Sequence, residues 1–391
     1  MNRTAEVVII GGGVTGASLA YHLARRGVTH VVVLEKKFLA SGGTGRSIGI
    51  IRQLYPTQEA SQMVFRSLRV FQSFRERVGG DSGYVGCGAL IGVSEHMLPA
   101  LKHSMEVQKA TGIRAELLSP NEALSIEPRI NPQGLAGLVY EPESGYGDPS
   151  GVTMGYARAA RDLGVAIEQG VEVTGIRLSG DRVVGVTTAS GEALDAPVVV
   201  NAAGLWAAIV ARLARAELPI VVGRHPVFVV KRPAAFGPSH LVYLDLAGGS
   251  YVRPETGDLT LTGSLTEDET RHPMDPELLG SEVGFEEAAV ALERTSQALP
   301  SLADGEYQDG YAGAFDITPD WMPILDESPI RGLYIAAGMS GHGFKLAPAV
   351  GELMAELITE GRTTINRAPF RLDRFAETRA RGGSFVSSYL G

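Results

Sequence analysis

Three glycines and one acid carry the clearest chemistry in this chain. Gly11, Gly13 and Gly16 stand at GxGxxG spacing in "VVIIGGGVTGASLAYHLARRG", and Glu35 ends a second apolar run about 20 residues further on. At that spacing the first glycine allows a tight turn, the second lets backbone approach a pyrophosphate, and the third lets a helix pack on a strand. Glu35 is placed to accept from a ribose 2′-hydroxyl. A 2′-phosphate would be repelled there, which disfavours NADP and leaves NAD or FAD.

The elements that position these residues flank them. "EVVII" is apolar and β-branched, as a central parallel strand covered on both faces requires. Val14 and Thr15 open a helix whose N-terminal N–H groups point at phosphate, and "VVVLE" supplies the next strand. After Glu35 comes "KKFLASGGTGRSIGIIRQLY", rich in glycine and serine. Such a loop can follow the extended ring system of a flavin dinucleotide, so FAD is favoured over NAD. Near the middle, "GVTMGYARAARDLGVAIEQGVEVTGIRLSGDRVVGVTTASGEALDAPVVVNAAGLWA" reads as a helix, a strand, a hairpin and a further strand. Near the end, "GLYIAAGMSGHGFKLAPAVGELMAELI" reads as a strand, a glycine turn and a helix starting around Pro348. A helix N-terminus there suits the partial negative charge of a reduced flavin.

Composition excludes several function classes. With 391 residues, 44% hydrophobic and 20% charged, the chain has material for a large core and two domains. A net charge of -9, with the cations scattered among the acids, provides no basic field for nucleic acid or anionic lipid. The single cysteine, Cys87, excludes internal disulfides and multi-cysteine metal sites and is read as a packing residue; no metal is expected. No signal-peptide pattern or long apolar run appears, so the expectation is a soluble cytoplasmic protein without a membrane span.

Four stretches, "VVIIGGGVTGASLAYHLARRG", "GYGDPSGVTMGYARAARDLGV", "VVVNAAGLWA" and "TPDWMPILDESPIRGLYIAAGMSGHGFKLAPAVGELMAELI", resemble the D-amino-acid oxidase superfamily of FAD enzymes. Within it they are most similar to the sarcosine oxidase group, with its β-subunit, dimethylglycine dehydrogenase and proline dehydrogenase relatives. The resemblance implies an α/β fold in which a Rossmann-like FAD-binding domain (1–84, 146–216 and 310–391) interleaves with an α+β substrate domain (85–145 and 217–309). That second domain would be built on an antiparallel sheet, in keeping with the alternating β-rich runs and turns after residue 217.

The resemblance also implies site residues. Arg52 of "IIR" and Lys345 of "SGHGFK" would clamp a substrate carboxylate, with arginine able to do so bidentately. Tyr251 in "GSYVRP" would be the active-site tyrosine, and Arg253, two residues on and so on the same sheet face, a reserve cation. Cofactor contacts would fall on the glycine fingerprint and Glu35, on Lys36, Ser41, Thr44, Gly45, Arg46 and Ser47, and on Val173, Ala203, Gly204 and Trp206. The later ones are Gly313, Gly338, Gly341, His342, Gly343, Phe344 and Lys345, with His342 contributing backbone rather than acting as a base. His225 and His272, with no motif around them, are read as structural or surface residues.

Departures from the family pattern refine these expectations. The stretch "DGYAGAFDITPD" has no cysteine before "TPD", and no histidine occurs between His30 and His96, so FAD is expected to be non-covalent. Gly45 and Gly49 stand where monomeric sarcosine oxidase has a histidine and an arginine, with Arg46 nearby, so the pocket is not a copy of that one. The inner-strand lysine that promotes reaction with oxygen in that enzyme aligns with Thr260, which favours a dehydrogenase passing electrons to a carrier over an oxidase. The expected reaction is hydride transfer from a secondary or tertiary amino acid to flavin, leaving an imine. Two alternatives stay open: a D-amino-acid or glycine oxidase on primary amines, and a non-catalytic FAD-binding subunit or assembly factor. Membership of a hetero-oligomer is compatible with either.

Overall fold

A computed structural model describes residues 3–28, 30–266, 273–280 and 282–377. His272 lies outside the described residues. The fold is a mixed α/β arrangement of two large sheets.

The first sheet has six strands in the order Ile324–Glu327, Leu333–Ala337, Val198–Asn201, Val7–Ile10, Val31–Glu35 and Ala166–Gln169. All neighbours are parallel except the first pair. Alternate residues of the apolar strands go to opposite faces, and both faces are covered. Val7, Ile9, Val31 and Val33 pack against the helices Val14–Arg25, Pro149–Asp162 and Gly343–Glu360. Val8, Ile10, Val32 and Leu34 pack against a four-stranded sheet that includes Val173–Ser179 and Arg182–Thr188. This double burial is why the runs read as continuously hydrophobic.

The helices Val14–Arg25 and Gly343–Glu360 cross closely at a glycine. A Cβ on Gly351 would stand 2.2 Å from Ser18 Oγ and 2.7 Å from the Ser18 carbonyl carbon. Gly351→Val is therefore expected to force the helices apart and lower the melting temperature, for a cost of about 1 to 3 kcal/mol. A variant that melts with the wild type would show that this crossing is not tightly packed.

The second sheet has eight strands, from Glu306–Ile317 through Val221–Lys231, Leu259–Ser264, Ser250–Pro254, Val242–Asp245, Ala89–Val93 and Gly137–Glu141 to Glu116–Leu118. It is antiparallel apart from one parallel pair, Val242–Asp245 with Ala89–Val93. One face is covered by the helix Phe285–Ala298, through contacts such as Thr262 Oγ1 to Thr295 Oγ1 at 2.6 Å. The opposite face looks toward the first sheet. The strand Glu306–Ile317 runs unbroken through residue 310, where the sequence suggested a boundary, and pairs along its length with Val221–Lys231.

One helix start differs from expectation. The C-terminal helix begins at Gly343, and Pro348 lies inside it. Proline commonly marks a first turn because that turn needs no N–H donors, but here packing of Phe344, Leu346 and Ala347 holds a turn ahead of it. The consequence is functional: Gly343, Phe344 and Lys345 occupy the first turn, where N–H groups have no helical acceptors. Among the described residues no helix is long and apolar enough to cross a membrane.

Candidate active site

A cavity of about 430 Å³ runs between the two sheets, and both contribute to its wall. At one end it meets the glycine fingerprint. Gly11 adopts a φ of 113°, and a Cβ there would lie 2.5 Å from the Ala202 carbonyl oxygen, so the turn demands glycine. Gly13 is the N-cap of the first helix, and a Cβ on it would meet only Thr44 Oγ1, at 3.0 Å. Its remaining space is the cavity. Thr44 Oγ1 also accepts from the Val14 N–H at 3.1 Å, and Thr15 lines the same wall.

Glu35 is buried beneath this turn. Its carboxylate accepts from the Gly12 and Lys37 N–H groups, each at 2.8 Å, and from Ser41 Oγ at 3.3 Å. A carboxylate has acceptor capacity beyond these bonds, which leaves room for a hydroxyl ligand. Lys36 lies 4.1 Å from the centre of the Trp206 ring, and both side chains contact Glu277, a cavity residue the sequence did not single out. Val173, Ala203 and Gly204 complete this end.

Further along, Ser47 and Arg46 line the wall, and Arg46 donates to the Ala312 and Gly280 carbonyls at 2.6 and 3.2 Å, tying its loop to the second sheet. Gly313 also lines the cavity; a Cβ there would stand 2.9 Å from the His225 carbonyl oxygen, so the backbones are too close for a side chain. Cys87 is half-buried and does not line the cavity.

Four of the expected cofactor contacts lie behind the wall. A Cβ on Gly16 would meet the Gly11 carbonyl oxygen at 2.0 Å, and one on Gly45 the Ala40 carbonyl oxygen at 2.5 Å, so both serve backbone packing. Gly338, at a φ of 70°, shapes the turn before the C-terminal helix, while the His342 side chain points toward Arg52 and Tyr55. Gly341, Gly343 and Phe344 do line the cavity.

The far end gathers charged and aromatic groups. Arg52 is 1% exposed and Lys345 6% exposed, and both reach the cavity. Lys345 Nζ donates to the Gly341 carbonyl at 3.2 Å; among the described residues no carboxylate lies within ion-pair distance of it. Burial, with Arg52 adding to it, pushes the Lys345 ammonium well below the usual lysine range. Tyr251 lines the same region, and its hydroxyl lies 3.1 Å from His225 Nε2.

His225 is the principal site residue that sequence reasoning passed over. It is buried on the cavity wall, with its ring stacked 4.4 Å from that of Phe315, and is neither a surface nor a remote structural residue. The only signal was strand parity with Val227, which means nothing until the register with Gly263 and Tyr251 is known. Asp316 was likewise missed. It lines the cavity and accepts from the Gly338 and Met339 N–H groups at 2.8 and 3.0 Å, and burial pushes its carboxyl up to about 6.

Two expectations need correction. Arg253 is not on the wall: it is held by Glu255 at 2.8 Å and by the Ile48 carbonyl at 2.7 Å, and it packs over the Tyr146 ring. Thr260 points to the opposite face of its strand, where it contacts His240 Nε2 at 2.9 Å. Leu265, just past the strand, lines the cavity, and by alternation Leu261 and Gly263 share the face of the cavity residue Tyr251 rather than that of Thr260. A Cβ on Gly263 would meet the Tyr251 hydroxyl at 2.4 Å, so that position must stay bare while the tyrosine occupies it. Among the described residues no cluster of three or more histidine, cysteine, aspartate or glutamate residues could hold a metal.

The chain matches, over residues 6–357, the family model described as FAD dependent oxidoreductase. It is 31% identical to human mitochondrial sarcosine dehydrogenase over 387 residues, covering 95% of this chain and 41% of that protein. It is 30% identical to sarcosine oxidase subunit beta of Arthrobacter sp, covering 95% of this chain and 91% of that one. The chain thus spans less than half of the human relative's length and nearly all of the bacterial one's. Among solved structures, L-proline dehydrogenase from P. horikoshii superposes with a TM-score of 0.88 at 27% identity, covering 97% of this chain and all of that one. Glycine oxidase from Geobacillus kaustophilus gives 0.81 at 27% identity over the same shares. With a helix N-terminus, an acid and bare glycine backbone facing one cavity, and a family match that spans nine-tenths of its length, the chain belongs to the FAD-dependent oxidoreductases of the DAO family.

Proposed function

We propose that the chain oxidises a small secondary or tertiary amino acid, N-methylated or cyclic, with FAD held non-covalently. The observation that carries this reading is the pair Arg52 and Lys345, two buried cations at the far end of the FAD cavity. For Lys345, which has no carboxylate within ion-pair distance among the described residues, burial of the charge is costly, and an anionic ligand offsets that cost. A scaffold or assembly factor gains nothing from such a pair, which favours an enzyme.

When bound, FAD supplies the two-electron acceptor that takes hydride from the carbon bearing nitrogen. The glycine turn at Gly11 and Gly13 and the first turn of its helix would hold the pyrophosphate, and Glu35 the adenosine ribose. Arg52 and Lys345 would grip the substrate carboxylate and set its orientation, from which most of the rate comes. Tyr251, bonded to His225, would bound the amine side, and the apolar residues Ile48, Ile50, Val227 and Leu244 would exclude water. The close approach at Gly313 leaves no room for a side chain to link the flavin.

The apolar face of the strand Leu259–Ser264 favours a dehydrogenase over an oxidase, since no cation there faces the cavity to attract oxygen. A larger assembly is supported by the likeness to a sarcosine oxidase β subunit over nearly its whole length. Anaerobic mixing of the oxidised protein with sarcosine, dimethylglycine, both prolines, pipecolate, glycine and D-alanine tests the substrate class through bleaching of the flavin band. A secondary or tertiary amino acid is expected to bleach it fastest, and air to restore the colour slowly compared with an artificial dye. Bleaching by glycine or D-alanine alone would replace this reading with a primary-amine oxidoreductase.

A further inference from the structure

A buried arginine recognises a carboxylate only while its planar fork is held in one direction, and its flexible stem does not ensure that. Several contacts restrain Arg52. One terminal nitrogen donates to the Leu54 carbonyl, and the guanidinium carbon sits 4.7 Å from the centre of the Tyr55 ring. The other terminal nitrogen lies 3.4 Å from Nδ1 of His342, which comes from a distant part of the chain as the N-cap of the C-terminal helix. The Tyr55 hydroxyl lies 3.0 Å from the same Nδ1, with the two rings 5.3 Å apart.

These contacts fix the state of the imidazole. A guanidinium can only donate, so Nδ1 must accept and the ring proton must sit on Nε2. His342 is fully enclosed, and burial, together with Lys345 and Arg52, holds it well below the usual histidine range. A protonated ring would set donor against donor and add a third positive charge. Glu141, buried on the strand Gly137–Glu141, lies within the electrostatic reach of Arg52, and it is engaged by the Gln53 N–H and by Gln108 and Ser144.

We propose that His342 is a positioning residue, whose neutral imidazole accepts from Arg52 and aims the guanidinium at the cavity without itself touching substrate. This rests on the reading of Arg52 as a carboxylate ligand, and it explains why the side chain of a residue between two cavity-lining glycines turns away from the cavity. Recognition would then depend on an acceptor at the position of Nδ1 rather than on the ring as such.

The test uses the FAD-loaded protein, with acetate as the probe, its binding followed by perturbation of the flavin spectrum. His342→Leu should weaken acetate by about tenfold, as loss of a hydrogen bond to a charged group predicts, and raise KM more than it lowers kcat. His342→Asn, whose amide oxygen falls near Nδ1, should recover most of that loss, while His342→Gln, with its oxygen one atom further out, should not. In an Arg52→Ala background His342→Leu should add less than about twofold, because the partner it positions is gone. Equal losses in both backgrounds, an Asn variant no better than Gln, or normal acetate binding by His342→Leu would each overturn the proposal. If Arg52→Ala alone binds acetate normally, the carboxylate reading falls and this proposal with it. Should His342→Leu fail to retain FAD, the comparison of Asn with Gln decides the question alone.

Discussion

Gly13→Val is expected to fold and to purify without its flavin. The glycine caps the first helix, and a Cβ there meets only Thr44 Oγ1 at 3.0 Å, so the protein wall can accommodate a small adjustment. The branched methyls would instead project into the cavity, where a pyrophosphate needs close backbone approach, and a loss of FAD affinity on the order of a hundredfold or more follows. The neighbouring glycines supply the contrast. Gly11→Ala and Gly16→Ala would place a Cβ 2.5 and 2.0 Å from carbonyl oxygens, so they should damage folding itself. Flavin absorbance per protein, read beside circular dichroism, separates these cases. A Gly13→Val protein that remains yellow would show that the dinucleotide does not pass over this turn. Acid precipitation of the wild type should release all of its FAD.

Removing Lys345 is expected to remove the fall of carboxylate binding that follows loss of the ammonium proton, as well as most of the binding strength. The lysine attracts a carboxylate only while protonated, and burial, aided by Arg52, lowers its pKa well below the usual lysine range. Affinity should therefore be full at lower pH and should fall, by about tenfold per pH unit, once pH rises past the pKa of the free enzyme. Binding raises that pKa, so the complex takes up a proton in this window. Lys345→Met should weaken acetate by about ten- to a hundredfold at low pH and leave a flat profile above it. Titrations in two buffers of different ionisation heat would show the proton uptake directly. A wild-type profile already flat up to the usual lysine range would mean that the ammonium keeps its proton throughout and its pKa is not lowered, whereas a Lys345→Met protein that binds acetate as tightly as the wild type would mean that the ammonium is not part of the site.

Much of this was written in local sequence. The glycine fingerprint, the two apolar strands around it and Glu35 all depend on neighbours within about one βαβ unit, where the periodicity of burial and the freedom of glycine leave few other conformations. The choice of FAD was anticipated from Glu35 and the glycine- and serine-rich loop that follows it, and the presence of Arg52 and Lys345 in one cavity from the resemblance carried by "IIR" and "SGHGFK". Tertiary structure decided what depends on register and direction. Whether Thr260 or Leu261 shares the face of Tyr251 and Val227 turns on a single-residue phase along a strand, and a sheet fixes that phase only through pairing with Val227–Lys231 and Ser250–Pro254. The same pairing brings His225 to Tyr251 across 26 residues of sequence and leaves Arg253 bound to Glu255 outside the wall. The helix start at Gly343 rather than Pro348 was set by tertiary packing, with the Phe344 ring 5.0 Å from that of Phe71, which outweighs the preference of one proline. The sequence by itself determined which chemical groups this protein has and where its nucleotide turn lies; only long-range pairing of strands and close crossing of helices decided which of those groups share a cavity, because side-chain direction is set by contacts far apart in the chain.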